Sequence, residues 1–266
     1  MITTKGKELI GRFNAKEIGQ IATTLAIGIG STSPTVLDKQ LVYETLRINL
    51  EQTYFNRATG RVVFRAIVPA SYVGPVYEIG LWSADSDSLA EAGSRTLLEF
   101  DQDTEAWVGG AWSTSNVRAG SNGLVTGPNT SATLSGIVID LSRNLNDTIR
   151  VAAHTNANSA FRFRLGSDGG YYEYTINPGT TGFINASLAT SSYTVSGTPD
   201  FSAINYATVL SPSGGPTVTW DGLRLEDTFQ DKDNPDYTLI NRVSSSTPLF
   251  TGVDGIETVV EIPISL

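Results

Sequence analysis

The chain has 266 residues, 40% of them hydrophobic and 17% charged, with a formal net charge of −9 at pH 7. It is too apolar for a disordered chain and too lightly charged for a coiled coil. It contains no Cys and one His. Disulfides, thiolate zinc sites, thiol nucleophiles and iron–sulfur clusters are excluded, and His154 is the only imidazole for a triad.

The acidic balance argues against a nucleic-acid partner. No apolar run approaches the roughly 20 residues a membrane helix needs, so membrane insertion is not expected. Lys5 and Lys7 are not followed by an apolar stretch with a small-residue cleavage site, so no secretory leader is expected. The expected location is a cytoplasmic one, or a particle assembled in a host cytoplasm.

The first predicted element is a short helix over 4–15. Leu9, Ile10 and Phe13 share a face, and Thr3 or Thr4 supplies the cap. Strand signals follow at 23–29, 42–50, 61–68, 76–83 and 95–100, with a polar loop at 31–40 and a turn at 84–88. Residues 104–230 then change character. They contain no Lys, and their basic residues are all Arg. Apolar runs at 133–141, 148–153, 160–165, 171–176, 182–188, 205–210 and 217–225 alternate with glycine pairs, the spacing of a β-sandwich or barrel. An acidic linker at 231–236 precedes strands at 237–243 and 256–264. The predicted fold is mostly β: an attachment domain from 1–103 and 231–266, with one short N-terminal helix, and an inserted jelly-roll-like sandwich at 104–230.

Two resemblances sharpen this. Thr3–Ile10, Ala26–Gly30, Val76–Ser83 (VYEIGLWS), Ser94–Phe100, and the closing Thr247-Pro248, Gly255 and Val260-Glu261 resemble the opening domain of tailed-bacteriophage structural proteins of the tail-collar, tail-fibre or minor tail type. Trp112, Leu134–Leu141, Gly197–Ile204 and Val218–Glu226 resemble jelly-roll modules of the carbohydrate-binding or galactose-binding type. The resemblances imply a non-enzymatic virion protein of the tail, baseplate or fibre. Its partners would be other virion proteins, in a homo-oligomer such as a trimer, and a host-surface glycan. The alternatives are a capsid decoration or head-fibre protein, or a secreted carbohydrate-binding module or polysaccharide-degrading enzyme.

Candidate site residues follow from side-chain chemistry. Tyr172 and Tyr174 share one face of a predicted strand, and an aromatic platform stacks on the apolar faces of sugar rings. The competing reading buries one ring in the core. Arg162 and Arg164 alternate with Phe161 and Phe163, the pattern of a half-buried strand with a basic outer face, suited to an anionic glycan or an acidic neighbour. Asp101, Asp103, Glu105, Glu226 and Asp227 flank the two ends of the sandwich, and related modules hold structural calcium there; hard oxygen donors suit that ion. No other cofactor is expected. A glycosidase needs only two carboxylates, for which Asp140, Glu173, Asp221 and Glu226 are candidates. Isolated acids of this kind are more often turn or surface groups, and His154 has no partner motif.

Overall fold

A computed structural model describes residues 1–83, 95–100, 102, 105–226 and 238–265. The turn expected at 84–88 and the linker at 231–236 lie outside the described residues. The chain divides into two compact units, Met1–Gly93 with Phe229–Leu266, and Ser94–Thr228.

The first unit opens with helix α1 (Thr4–Asn14), capped by Thr3, whose hydroxyl accepts from the Gly6 backbone at 2.9 Å. That hydroxyl also donates to the Leu239 carbonyl. Six strands follow: β1 (Thr24–Gly28), β2 (Glu44–Asn49), β3 (Gln52–Asn56), β4 (Arg61–Val68), β5 (Gly74–Val76) and β6 (Glu78–Ser83).

The chain then enters the second unit through β7 (Arg95–Leu98), β8 (Ala111–Ser113), β9 (Gly123–Thr126), β10 (Thr130–Ile139), β11 (Thr148–Thr155) and β12 (Phe161–Ser167). It continues through β13 (Gly170–Ile176), β14 (Gly182–Ala189), β15 (Thr194–Gly197), β16 (Ile204–Ser211) and β17 (Val218–Glu226). Three strands return to the first unit: β18 (Thr238–Ser244), β19 (Phe250–Gly252) and β20 (Thr258–Ile264). In that unit β18-β6-β1-β2, β20-β4-β3 and β19-β5 form three sheets.

The second unit is an antiparallel, jelly-roll-like sandwich. One sheet has the order β10-β16-β12-β13-β15, the other β14-β11-β17-β9-β8. Along its other edge β17 pairs with β9 at residues 218–220 and with β7 at 223–225. This moves the unit boundary expected at 103. Leu98 and Phe100 are buried in the core of the sandwich, where Phe100 stacks on Trp107 and Trp220. The run at 95–100 is therefore a sandwich strand and not the end of the first unit.

Alternation fixes what each sheet buries. Phe161, Phe163 and Leu165 of β12 face the core together with Tyr172, Tyr174 and Ile176 of β13 and Ala207 and Val209 of β16. From the other sheet come Ile149, Val151 and Ala153 of β11 and Trp220, Leu223 and Leu225 of β17. The residues between them face outward, and they make up the two outer faces on which a site can be built.

Candidate functional site

The outer face of the five-stranded sheet follows from strand register. Ser135, Tyr206, Gly166, Tyr171 and Ser196 form one row across five strands. Thr133, Thr208, Arg164, Glu173 and Thr194 form the next. Ser131, Leu210, Arg162 and Thr175 form a third. Successive rows are about 7 Å apart, two residues along a strand.

The first row holds two aromatic rings separated by a glycine, and the glycine is required there. A Cβ at Gly166 would lie 2.0 Å from the Tyr206 ring, so the ring lies flat against a bare stretch of backbone. The Tyr206 hydroxyl donates to the Gly170 carbonyl at 3.2 Å, which holds the ring across the sheet. Desolvation raises the pKa of Tyr206, against the lowering effect of nearby Arg164. The Arg164 guanidinium lies 4.4 Å above the centre of the Tyr171 ring. Tyr171, Arg164 and Tyr206 therefore form one cluster, and all three are half-buried.

The second row is charged. Glu173 Oε2 receives Arg164 Nε at 2.8 Å and Nη2 at 2.7 Å, and Oε1 faces Arg162 Nη1 at 3.3 Å. Beside this trio the Thr133 and Thr208 hydroxyls share a hydrogen bond of 3.0 Å. The face thus offers the Tyr206 ring and the Arg164-covered Tyr171 ring next to a row of donors and acceptors. That combination suits a ligand with an apolar face and a hydroxylated rim.

Of the predicted platform, Arg162 and Arg164 do lie on this face. Tyr172 and Tyr174 do not, and the expectation for them is corrected. Both are core residues, 7% and 0% exposed. Tyr172 stacks on Phe201 and donates to the Pro199 carbonyl at 2.7 Å. Tyr174 stacks on Phe163 and donates to the Thr190 carbonyl at 2.7 Å. Burial raises the pKa of both hydroxyls. The outward tyrosines are Tyr171 and Tyr206. The signal that finds Tyr171 is the two-residue turn Asp168-Gly169, which pairs Arg164 with Glu173 and Leu165 with Tyr172. Once Arg164 is placed outside, Tyr172 must face inside.

The outer face of the six-stranded sheet carries a different cluster. Asp221 alternates with core Trp220 and is fully buried beneath a loop. The backbone N–H groups of Arg118 and Ala119 donate to its carboxylate at 2.9 to 3.1 Å. Burial pushes its pKa up to about 7, against these hydrogen bonds. The Arg118 guanidinium covers the Phe183 ring at 4.1 Å. His154 pairs with Phe183 and Thr219 on the flanking strands, and desolvation lowers its pKa with Arg118 second.

Asp140 accepts from the Ser142 backbone at 2.8 Å, an ordinary turn contact. Glu173 and Asp221 lie on opposite outer faces, so at least the thickness of the sandwich, about 10 Å, separates them. They are not a catalytic pair. Asp101, Asp103 and Asp227, expected to bind calcium, lie outside the described residues, as does the side chain of Glu226. Glu105 accepts three N–H donors, from the backbones of Glu99 and Phe100 and from Trp107 Nε1, at 2.7 to 2.9 Å. Among the described residues these donors take three of its four acceptor positions. Among the described residues no group of three or more His, Cys, Asp or Glu could hold a metal.

Fold and face together define an antiparallel two-sheet sandwich with an aromatic and charged outer surface. The chain is similar to the family 11 carbohydrate-binding module of the cellulosomal cellulase Lic26A-Cel5E of Clostridium thermocellum. The identity is 17% and the TM-score 0.41, over 51% of this chain and 95% of the module. It is also similar to the Clostridium thermocellum family 11 module in complex with a β-1,3-1,4-mixed-linked tetrasaccharide. There the identity is 17% and the TM-score 0.36, over 59% and 98% of the two chains. The glycoside hydrolase domain of Endo-D from Streptococcus pneumoniae R6 gives 13% and 0.27, over 47% of this chain and 22% of that one. No family model matches the chain, and no curated protein matches it.

Proposed function

We propose that the sandwich is a non-enzymatic glycan-binding module that holds a sugar chain across the outer face of its five-stranded sheet. The tyrosine row carries this reading. Tyr206 and Tyr171 flank Gly166, and one row away Arg164, Glu173 and Thr208 supply donors and acceptors for ring hydroxyls. Stacking uses the C–H face of a pyranose, and the polar row reads its substituents. The acids on this face serve recognition. Glu173 is tied to two guanidinium groups, whereas glycoside hydrolysis needs a second carboxyl group within roughly 5–9.5 Å.

The first unit completes the proposal as an anchor on other virion proteins, in a homo-oligomer such as a trimer. Its support is the resemblance of residues 1–103 and 237–266 to phage structural proteins. Multiple copies would raise a weak single-site affinity by avidity. Structural calcium at Asp101, Asp103, Glu105, Glu226 and Asp227 is the remaining element. Chelation is expected to lower the melting temperature, and an unchanged value removes the metal from the account.

A glycan array probed with the full chain tests the central reading. The wild type is expected to retain a defined set of oligosaccharides, and Tyr206→Ala to lose about tenfold or more in affinity for them. An array without hits overturns the proposal.

A further inference from the structure

We infer that this face selects acidic sugars, taking a pyranose that carries a carboxylate and binding the carboxylate through Arg162. The inference rests on the glycan-binding reading of the same face and names its ligand class.

The first observation is charge. Among the described residues, the outward positions of the three rows hold Arg162, Arg164 and Glu173 as their only charged groups. The face is net positive by one charge, in a chain of net charge −9. A cationic patch on an acidic protein attracts anions and not further copies of neutral surface.

The second observation is how that charge is divided. Arg164 is committed: Nε and Nη2 both reach one oxygen of Glu173, at 2.8 and 2.7 Å, and its plane covers Tyr171. Arg162 is not. Its one ion pair among the described residues, to Glu173, is 3.3 Å long, well beyond the 2.7–2.9 Å of a charge-assisted hydrogen bond. Its Nε–H is occluded and has no acceptor. Its side chain is 39% exposed, against 13% for Glu173. Arg162 is therefore the less committed of the two guanidinium groups on the face, and the exposed part of it faces solvent.

Geometry supplies the third. Arg162 belongs to the third row but reaches Glu173 in the second. Its guanidinium therefore lies about one row, or roughly 7 Å, from the tyrosines. A sugar stacked on Tyr206, beside the Tyr171 ring that Arg164 covers, extends its exocyclic carboxylate over that span. Leu210, the cross-strand neighbour of Arg162, gives the ion pair an apolar flank. A neutral sugar in the same pose would cover the guanidinium and leave its donors without acceptors, which costs binding. An acidic peptide would satisfy Arg162 but offers no flat C–H face for the Tyr206 ring.

Isothermal titration of the full chain with oligogalacturonate, with glucuronate- and sialate-terminated oligosaccharides, and with matched neutral oligosaccharides tests the inference. At least one acidic ligand is expected to bind about tenfold or more tighter than its neutral counterpart. Arg162→Gln is expected to abolish that preference, weakening the acidic ligands about tenfold while neutral ligands bind no more weakly than before, with the melting temperature unchanged. If acidic and neutral ligands bind equally and Arg162→Gln changes nothing, the inference is overturned and the glycan-binding reading survives. If no oligosaccharide binds, both are overturned. Binding of poly-glutamate as tight as that of the acidic sugars overturns the inference in favour of an acidic protein partner.

Discussion

The two units of this chain place their largest described arginine–carboxylate clusters differently. In the first, that cluster is interior. Arg242 and Glu78 are 2% and 0% exposed. Arg242 Nε donates to Glu78 at 2.9 Å, Nη1 to Asp38 at 2.8 Å, and Nη2 to the Thr32 carbonyl and hydroxyl at 3.1 Å. Glu78 also receives the backbone N–H groups of Gly30, Val42 and Tyr43. Gly28 and Gly30 have no Cβ because one would lie within 3 Å of Glu78 Oε1. In the second unit the core is apolar and aromatic, and the Arg–Glu–Arg cluster lies on the outside of a sheet. The same residue types do different work. A buried ion pair is costly to desolvate and gives uniqueness to how distant segments meet. A half-exposed one costs little and stays available to a ligand.

The sharpest way to break this contrast is to remove one interior partner. Arg242→Met leaves Glu78 buried without its counter-charge and is expected to destabilise the first unit by about 3–5 kcal/mol, read by urea unfolding. The double variant with Glu78→Gln is expected to recover part of that loss. On the outer face, Arg164→Met is expected to cost no more than about 1 kcal/mol. Equal losses at Arg242 and Arg164 would erase the distinction.

The sandwich too buries carboxylates, Asp147 and Asp221, and Asp221 lies beneath backbone donors. Its folded pKa of about 7 lies above the roughly 3.9 of an unfolded Asp. Between these values the folded state holds the extra proton, so this group's contribution to stability falls as pH rises from about 4 to about 7. Asp221→Asn keeps an acceptor for the Arg118 and Ala119 N–H groups and removes the titration. The melting curve of the variant is expected to fall less steeply with pH across that window, and an unchanged slope would refute the assignment.

Gly166→Ala sharpens the comparison further. The new Cβ is expected to displace the Tyr206 ring, lowering glycan affinity about tenfold with a smaller change in unfolding than at Arg242. An unaltered affinity would show that the flat pose of Tyr206 is not used.

Much of the sandwich was legible because alternation is a local signal. The phenylalanines and arginines of β12 sort to opposite faces in the sequence itself, and the helix at the start is marked by Thr3. What was not legible has physical reasons. Tyr171, Tyr172 and Tyr174 put aromatic rings on both sides of β13, so alternation shows which rings share a face and not which face is the core. The boundary at 93 was hidden because Leu98 and Phe100 find their partners in β17, more than a hundred residues away. The Arg242–Glu78 pair spans 164 positions. The bare patch of backbone beneath Tyr206 depends on Gly166, a strand away, and leaves no local pattern.

The central claim is that ligand meets the five-stranded face. Nuclear magnetic resonance shift mapping, with an oligosaccharide retained on the array, tests it most directly. The account predicts perturbations centred on Tyr171, Tyr206 and Arg164, with the surroundings of Arg118, His154 and Phe183 unmoved. Perturbations confined to the latter three would place the site on the opposite sheet and contradict it.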